Sequence, residues 1–130
     1  MGQQQLLLIV LGVIIVGIAV VVGINVFTAS AASSNRDAIT SDLTNLASLS
    51  QEYYRKAKAL GGGGNSFVGF TIPATLTTTA NMSVAATATG LSATNATLTA
   101  VGTEKGTDGT NNVKVVITVT PTGISTSLSN

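Results

Sequence analysis

The chain has 130 residues, enough for one compact domain and an elongated appendage. Only 8% of residues are charged, against about 25% in ordinary soluble domains, and the net charge of +1 gives no field to steer nucleic acid. With no Cys and no His, disulfides, thiolate or imidazole metal ligands, Cys nucleophiles and His general bases are all excluded. The expectation is a protein that is not an enzyme and carries no cofactor or metal.

Charge is unevenly distributed. Residues 1–35 hold no charged side chain, and Arg36, Asp37, Asp42, Glu52, Arg55, Lys56 and Lys58 crowd the next stretch. Nothing more is charged until Glu104. Three zones suited to three surroundings follow from this pattern.

The first zone, residues 1–28, belongs in lipid or another apolar medium. From Leu6 to Phe27 only Gly12, Gly17, Gly23 and Asn25 depart from strongly apolar or Ala types. At about 1.5 Å per residue this run spans roughly 33 Å, which matches a hydrocarbon core of about 30 Å. A soluble core helix rarely stays apolar that long. Ala29-Ser30-Ala31 has the small-x-small pattern of a signal-peptide cleavage site. The run is nevertheless longer than the about 7–15 apolar residues of a signal peptide and no basic segment precedes it, so a retained helix is expected.

The second zone, residues 29–60, continues the helix into water. Ile39, Leu43, Leu46, Ser50, Tyr53, Ala57 and Leu60 recur at alternating spacings of four and three, one stripe on a helix. Glu52 and Lys56 form an i,i+4 pair in the favourable order. Acidic Asp37 and Asp42 precede basic Arg55, Lys56 and Lys58, which suits the dipole of a helix ending near Leu60. Residues 61–65 open with four glycines, which stop the helix and are expected to act as a linker.

The third zone, residues 66–130, is rich in Ser and Thr alternating with apolar residues. Residues 97–101 and 113–120 read as strands of period two, with Ser66 to Ile72, Met82 to Thr89 and Ile124 to Leu128 as further candidates. Glu104 to Asn112 supplies Gly, Asp and Asn for a hairpin loop. Three to five short antiparallel strands are expected. They offer too few large apolar residues for an independent core, so the sheet should lean on the helix stripe, with Tyr53, Tyr54, Phe67 and Phe70 between them. The fold class expected is therefore α+β, a long N-terminal helix with a small antiparallel sheet packed on its C-terminal half.

This order of elements resembles the type IV pilin family over the whole chain, most specifically over residues 1–28. The resemblance implies a prepilin whose leader is removed by a prepilin peptidase, with Met1 as the processed and methylated first residue. On that register Gln5 stands where most major pilins carry glutamate; if Gly2 instead closed a shortened leader, Gln3 would come first. The family's helix-melting proline is replaced by Val22. The resemblance further implies insertion in the inner (cytoplasmic) membrane, then polymerisation into an extracellular homo-oligomeric helical filament by an assembly ATPase.

Other readings attach to particular residues. Gln3, Gln4 and Gln5 offer amide donors and acceptors for a polar contact between subunits. Ala19-x-x-x-Gly23 is a small-x-x-x-small surface for close helix approach, and Gly12, Gly17 and Gly23 allow the helix to stretch or unwind locally. Asn81-Met82-Ser83 and Asn95-Ala96-Thr97 are N-glycosylation sequons. Glu104, Asp108, Asn111 and Asn112 carry oxygen ligands of the kind calcium takes, although a solvated turn is the simpler reading. Against the filament subunit stands a single-pass anchored surface module with a small β binding domain that never polymerises.

Overall fold

The computed structural model describes residues 2–84 and 90–129. One helix, α1, runs from Gly2 to Arg55. Its 54 residues give a rod about 80 Å long. Four strands follow: β1 (Met82–Val84), β2 (Ala96–Lys105), β3 (Asn112–Val119) and β4 (Ile124–Ser129). They form one antiparallel sheet in sequence order, a meander with β1 and β4 at its edges. The expected α+β architecture is the one observed. Of the candidate strand 82–89, residues 82–84 form β1 and residues 85–89 lie outside the described residues.

Period two decides which face of the sheet is buried. On β2, Ala96, Leu98 and Ala100 point at the helix, and on β3 Val113, Val115, Ile117 and Val119 do the same. Ala96 faces Val119 and Ala100 faces Val115, small against β-branched, while the large pair Leu98 and Ile117 meets between them. α1 lies over β2 and β3 and contributes Ala32, Ile39, Leu43, Leu46 and Ala47 to a common core. Thr-rich outward positions remain half-buried or exposed. The edge strand β4 is exposed along its whole length.

The helix ends earlier than the stripe predicts. Lys56 N–H still donates to Glu52 O at 3.0 Å, but Ala57 is already extended, with φ −63° and ψ 144°. A single 3₁₀ turn at Lys58–Leu60 follows, and Leu60 is 71% exposed rather than part of the core. The cause lies in the glycine run, which folds back over the helix end instead of serving as a free linker. Gly63 N–H donates to Tyr53 O, Asn65 N–H to Tyr54 O and Gly64 N–H to Lys56 O. These bonds satisfy carbonyls that a helix C-terminus leaves without partners. The path is open only to glycine at Gly62 and Gly63, where a Cβ would collide with Lys56 and with Ser66 O respectively.

Residues 66–72 form no strand, contrary to expectation. Phe67, Phe70 and Ile72 are all buried, and Phe70 N–H closes a turn onto Phe67 O at 3.1 Å. Their spacing of three and two suits a looped plug beneath the helix end, not a pleat. Tyr53 packs edge-on against Phe70 (5.5 Å between ring centroids), and Tyr54 tilts against Phe67 (4.7 Å). The four aromatics thus join helix to loop.

Candidate functional site

The dominant surface feature is the first half of α1. Every large apolar side chain from Leu6 to Phe27 is more than half exposed, up to 75% at Phe27. The first helix residue buried by the sheet is Ala32, the β2–β3 loop reaches only the turn around Asn25–Ala29, and among the described residues the turns before it are exposed. By length and composition this is one helix able to cross a membrane. Monomeric soluble proteins rarely expose contiguous apolar patches above a few hundred Å², so a fully exposed apolar run of this length marks an association surface.

Gln3, Gln4 and Gln5 all lie exposed in the first turn. Consecutive helical residues sit about 100° apart, so the three amides ring the rod and do not converge on one face. Met1 lies outside the described residues. The helix passes through Gly12, Gly17 and Gly23 without a break, and a Cβ at any of them would meet nothing within 4 Å. No contact among the described residues therefore requires these glycines.

Asn95 is exposed in the turn that leads into β2, where its carbonyl accepts from Ser92 N–H at 2.8 Å. Asn81 is half-buried beside the helix, and its carbonyl accepts a 3.0 Å hydrogen bond from Asn35 Nδ2. Of the two sequons, the one at Asn95 presents its amide more openly.

Asn35 is a polar contact that periodicity passed over. It is 7% exposed and sits on the buried stripe one turn before Ile39. The pairing of β2 with β3 shifts register between Val101 and Lys105, leaving an irregular stretch at Gly102–Glu104. Two backbone groups there are taken up by side chains. Glu104 N–H donates to Asn35 Oδ1 at 3.4 Å, and Gly102 O accepts from Asn112 Nδ2 at 2.8 Å. Gly102 makes the close approach feasible, since a Cβ there would overlap Asn35 Oδ1 and lie 2.7 Å from Ile39 Cδ1. The available signal was a glycine inside a strand pattern, which often marks close backbone approach.

In the β2–β3 loop Asp108 organises a turn. Asp108 Oδ1 accepts from Thr110 and Asn111 N–H, both at 3.0 Å, and Asp108 Oδ2 accepts from Asn111 Nδ2 at 2.7 Å. The Asn111 amide first, then the two backbone N–H groups, hold the Asp108 carboxyl below its ordinary range. Among the described residues no group of three His, Cys, Asp or Glu is placed to hold a metal. Glu104, through its backbone N–H, and Asn112, through its side-chain amide, take part in the strand irregularity. Asp108 and Asn111 thus hold each other within the turn, while Asn112 binds back to β2.

In comparison with known proteins, no family model, no curated protein and no solved structure matches the chain.

Proposed function

We propose that the chain is a structural subunit that polymerises through its N-terminal helix into an extracellular filament of the type IV pilus kind. One observation carries the reading. About 33 Å of apolar helix projects from the head with every large apolar side chain more than half exposed. Only two surroundings suit such a cylinder: lipid, where the helix bonds all its own backbone groups, or a bundle of its own copies. A filament subunit uses both in turn, first held in the inner membrane and then packed with the helices at the axis and the small sheets outside. On this reading a prepilin peptidase trims the chain and an assembly ATPase drives its polymerisation. The protein carries no chemistry of its own, and its role is mechanical.

Support comes from the division of labour along the rod. Residues 32–55 spend their buried face on the sheet, whereas residues 6–27 are left free for another apolar partner. The test is to shear cells that make the protein, collect the released material, and examine it by electron microscopy and mass spectrometry. Filaments composed of this chain are expected. Recovery of the chain only as a membrane-bound monomer would assign it to the anchored-module class. Behaviour of the full-length chain as a soluble monomer without detergent would overturn both.

A further inference from the structure

The outward face of α1 above the apolar run has opposite charges at its two ends. Asp37 and Arg55 are both exposed, and eighteen residues separate them. At about 3.6 residues per turn that is five whole turns, so the two side chains share one line along the rod, about 27 Å apart. The line lies directly opposite the stripe of Ile39 and Leu46 that packs on the sheet. Near that line between the charges stand the small exposed residues Ser41, Thr44 and Ser48, and the half-buried Gln51, which turns its amide aside to donate to Thr120 O at 3.0 Å. Thr44 and Ser48 turn their hydroxyls back onto the carbonyls of Thr40 and Thr44, at 2.7 and 3.0 Å. The face therefore projects little beyond its two terminal charges.

Continued toward the N-terminus, the same line meets Ala19, another eighteen residues away, and passes beside Gly23. The small-x-x-x-small pair of the apolar run thus faces the same way as Asp37 and Arg55. Among the described residues neither Asp37 nor Arg55 has an ion-pair partner within its own chain. Glu52 stands nearest Arg55, about 60° round the helix and almost a turn below.

We infer that this face docks a second, parallel copy of the chain displaced by about 27 Å along the helix axis, with Arg55 of one copy against Asp37 of the next. The inference rests on the filament reading and specifies the contact between its subunits. Copies that share an apolar bundle run parallel, and that brings like faces level with one another. Unshifted copies would set Asp37 against Asp37 and Arg55 against Arg55. A shift of five turns replaces both repulsions by attraction and brings Ala19 of one copy level with Asp37 of its neighbour. The small residues between the charges let the two rods approach closely.

The natural absence of cysteine makes a clean test, carried out on the full chain in cells that make it. In an Asp37→Cys/Arg55→Cys variant the two thiols of one chain are about 27 Å apart, far beyond the roughly 7 Å limit for a disulfide, so only neighbouring copies can join. Mild oxidation is expected to give a ladder of covalent oligomers on a non-reducing gel, while each single-cysteine variant stays monomeric. Charge reversal at one site, Asp37→Arg or Arg55→Glu, should lower filament yield about two- to fivefold, the scale of an exposed ion pair. The combined reversal should restore it, which also shows that the chain still folds. Filaments without a ladder, or dimers from the single-cysteine variants, overturn this docking face and leave the filament reading standing. Absence of any polymer from the unaltered chain overturns both.

Discussion

Replacing Gly102 by Ala adds one methyl group at the tightest point between sheet and helix. Its position would overlap Asn35 Oδ1 and fall 2.7 Å from Ile39 Cδ1, and Ile39 is fully buried. The Asn35 side chain must then rotate away, giving up its bond to Asn81 O and the one it accepts from Glu104 N–H. Each of the two bonds contributes about 1 kcal/mol net, and overpacking adds about 1–3 kcal/mol, so the expected loss is about 3–5 kcal/mol. In an ordered unit of about 100 residues that corresponds to a fall in Tm of about 10–25 °C. The assay is thermal unfolding of the detergent-solubilised full chain, followed by near-ultraviolet circular dichroism from Tyr53 and Tyr54. That signal reports the packed head and ignores the apolar helix, which stays helical in detergent. Pairing Gly102→Ala with Asn35→Ala should cost less than the sum of the two single changes, by at least about 1 kcal/mol, because one contact underlies both losses. A Gly102→Ala chain within about 0.5 kcal/mol of the original, or strict additivity in the pair, would refute the close-approach argument.

Leu46→Ala should cost about 2–5 kcal/mol in the same melt, since Leu46 is buried among helix and sheet residues, whereas Leu60→Ala should cost less than about 0.5 kcal/mol. Equal effects at the two positions would mean that the helix end packs otherwise than described. The Asp108 carboxyl should titrate below its ordinary value of 3.8, and Asn111→Ala should move the midpoint upward, both read by carbon NMR of that carboxyl. Because the folded loop favours the carboxylate, its stabilisation is complete above the unfolded pKa and is lost as pH falls through the lowered folded value. An Asn111→Ala chain with an unmoved midpoint would contradict the assignment. At the tip of α1, Gln5→Glu should preserve or raise filament yield, and Gln4→Leu with Gln5→Leu should lower it. Normal filaments from the double variant would show that apolar packing from Leu6 onward is sufficient.

Several features of the molecule are determined by local rules and were legible without any tertiary information. A run of 22 residues without a charge, with Asn25 its single polar side chain, reads as a helix suited to an apolar medium, because the helical backbone satisfies itself. The stripe from Ile39 to Ser50 and the alternation in β2 and β3 follow from the periods of helix and strand, which place every second or every third to fourth residue on one face. The hairpin at residues 106–111 follows from Gly, Asp and Asn chemistry.

What only the tertiary structure decided are the places where a distant segment overrides the local pattern. Ala57 and Leu60 continue the stripe in sequence, yet the glycine run reaches back to take the carbonyls of Tyr53, Tyr54 and Lys56, and the helix stops at Arg55. Phe67, Phe70 and Ile72 resemble a strand until the helix end above them needs a plug. Asn35 looks like a polar interruption of an apolar face until the irregular stretch of β2, some seventy residues later, presents it with a backbone N–H to receive. The alignment of Asp37 with Arg55 follows from helical geometry alone, but only the placement of the sheet on the opposite face leaves that line open. Local periodicity fixes which residues share a face, whereas which face is covered depends on the contacts that close the chain on itself.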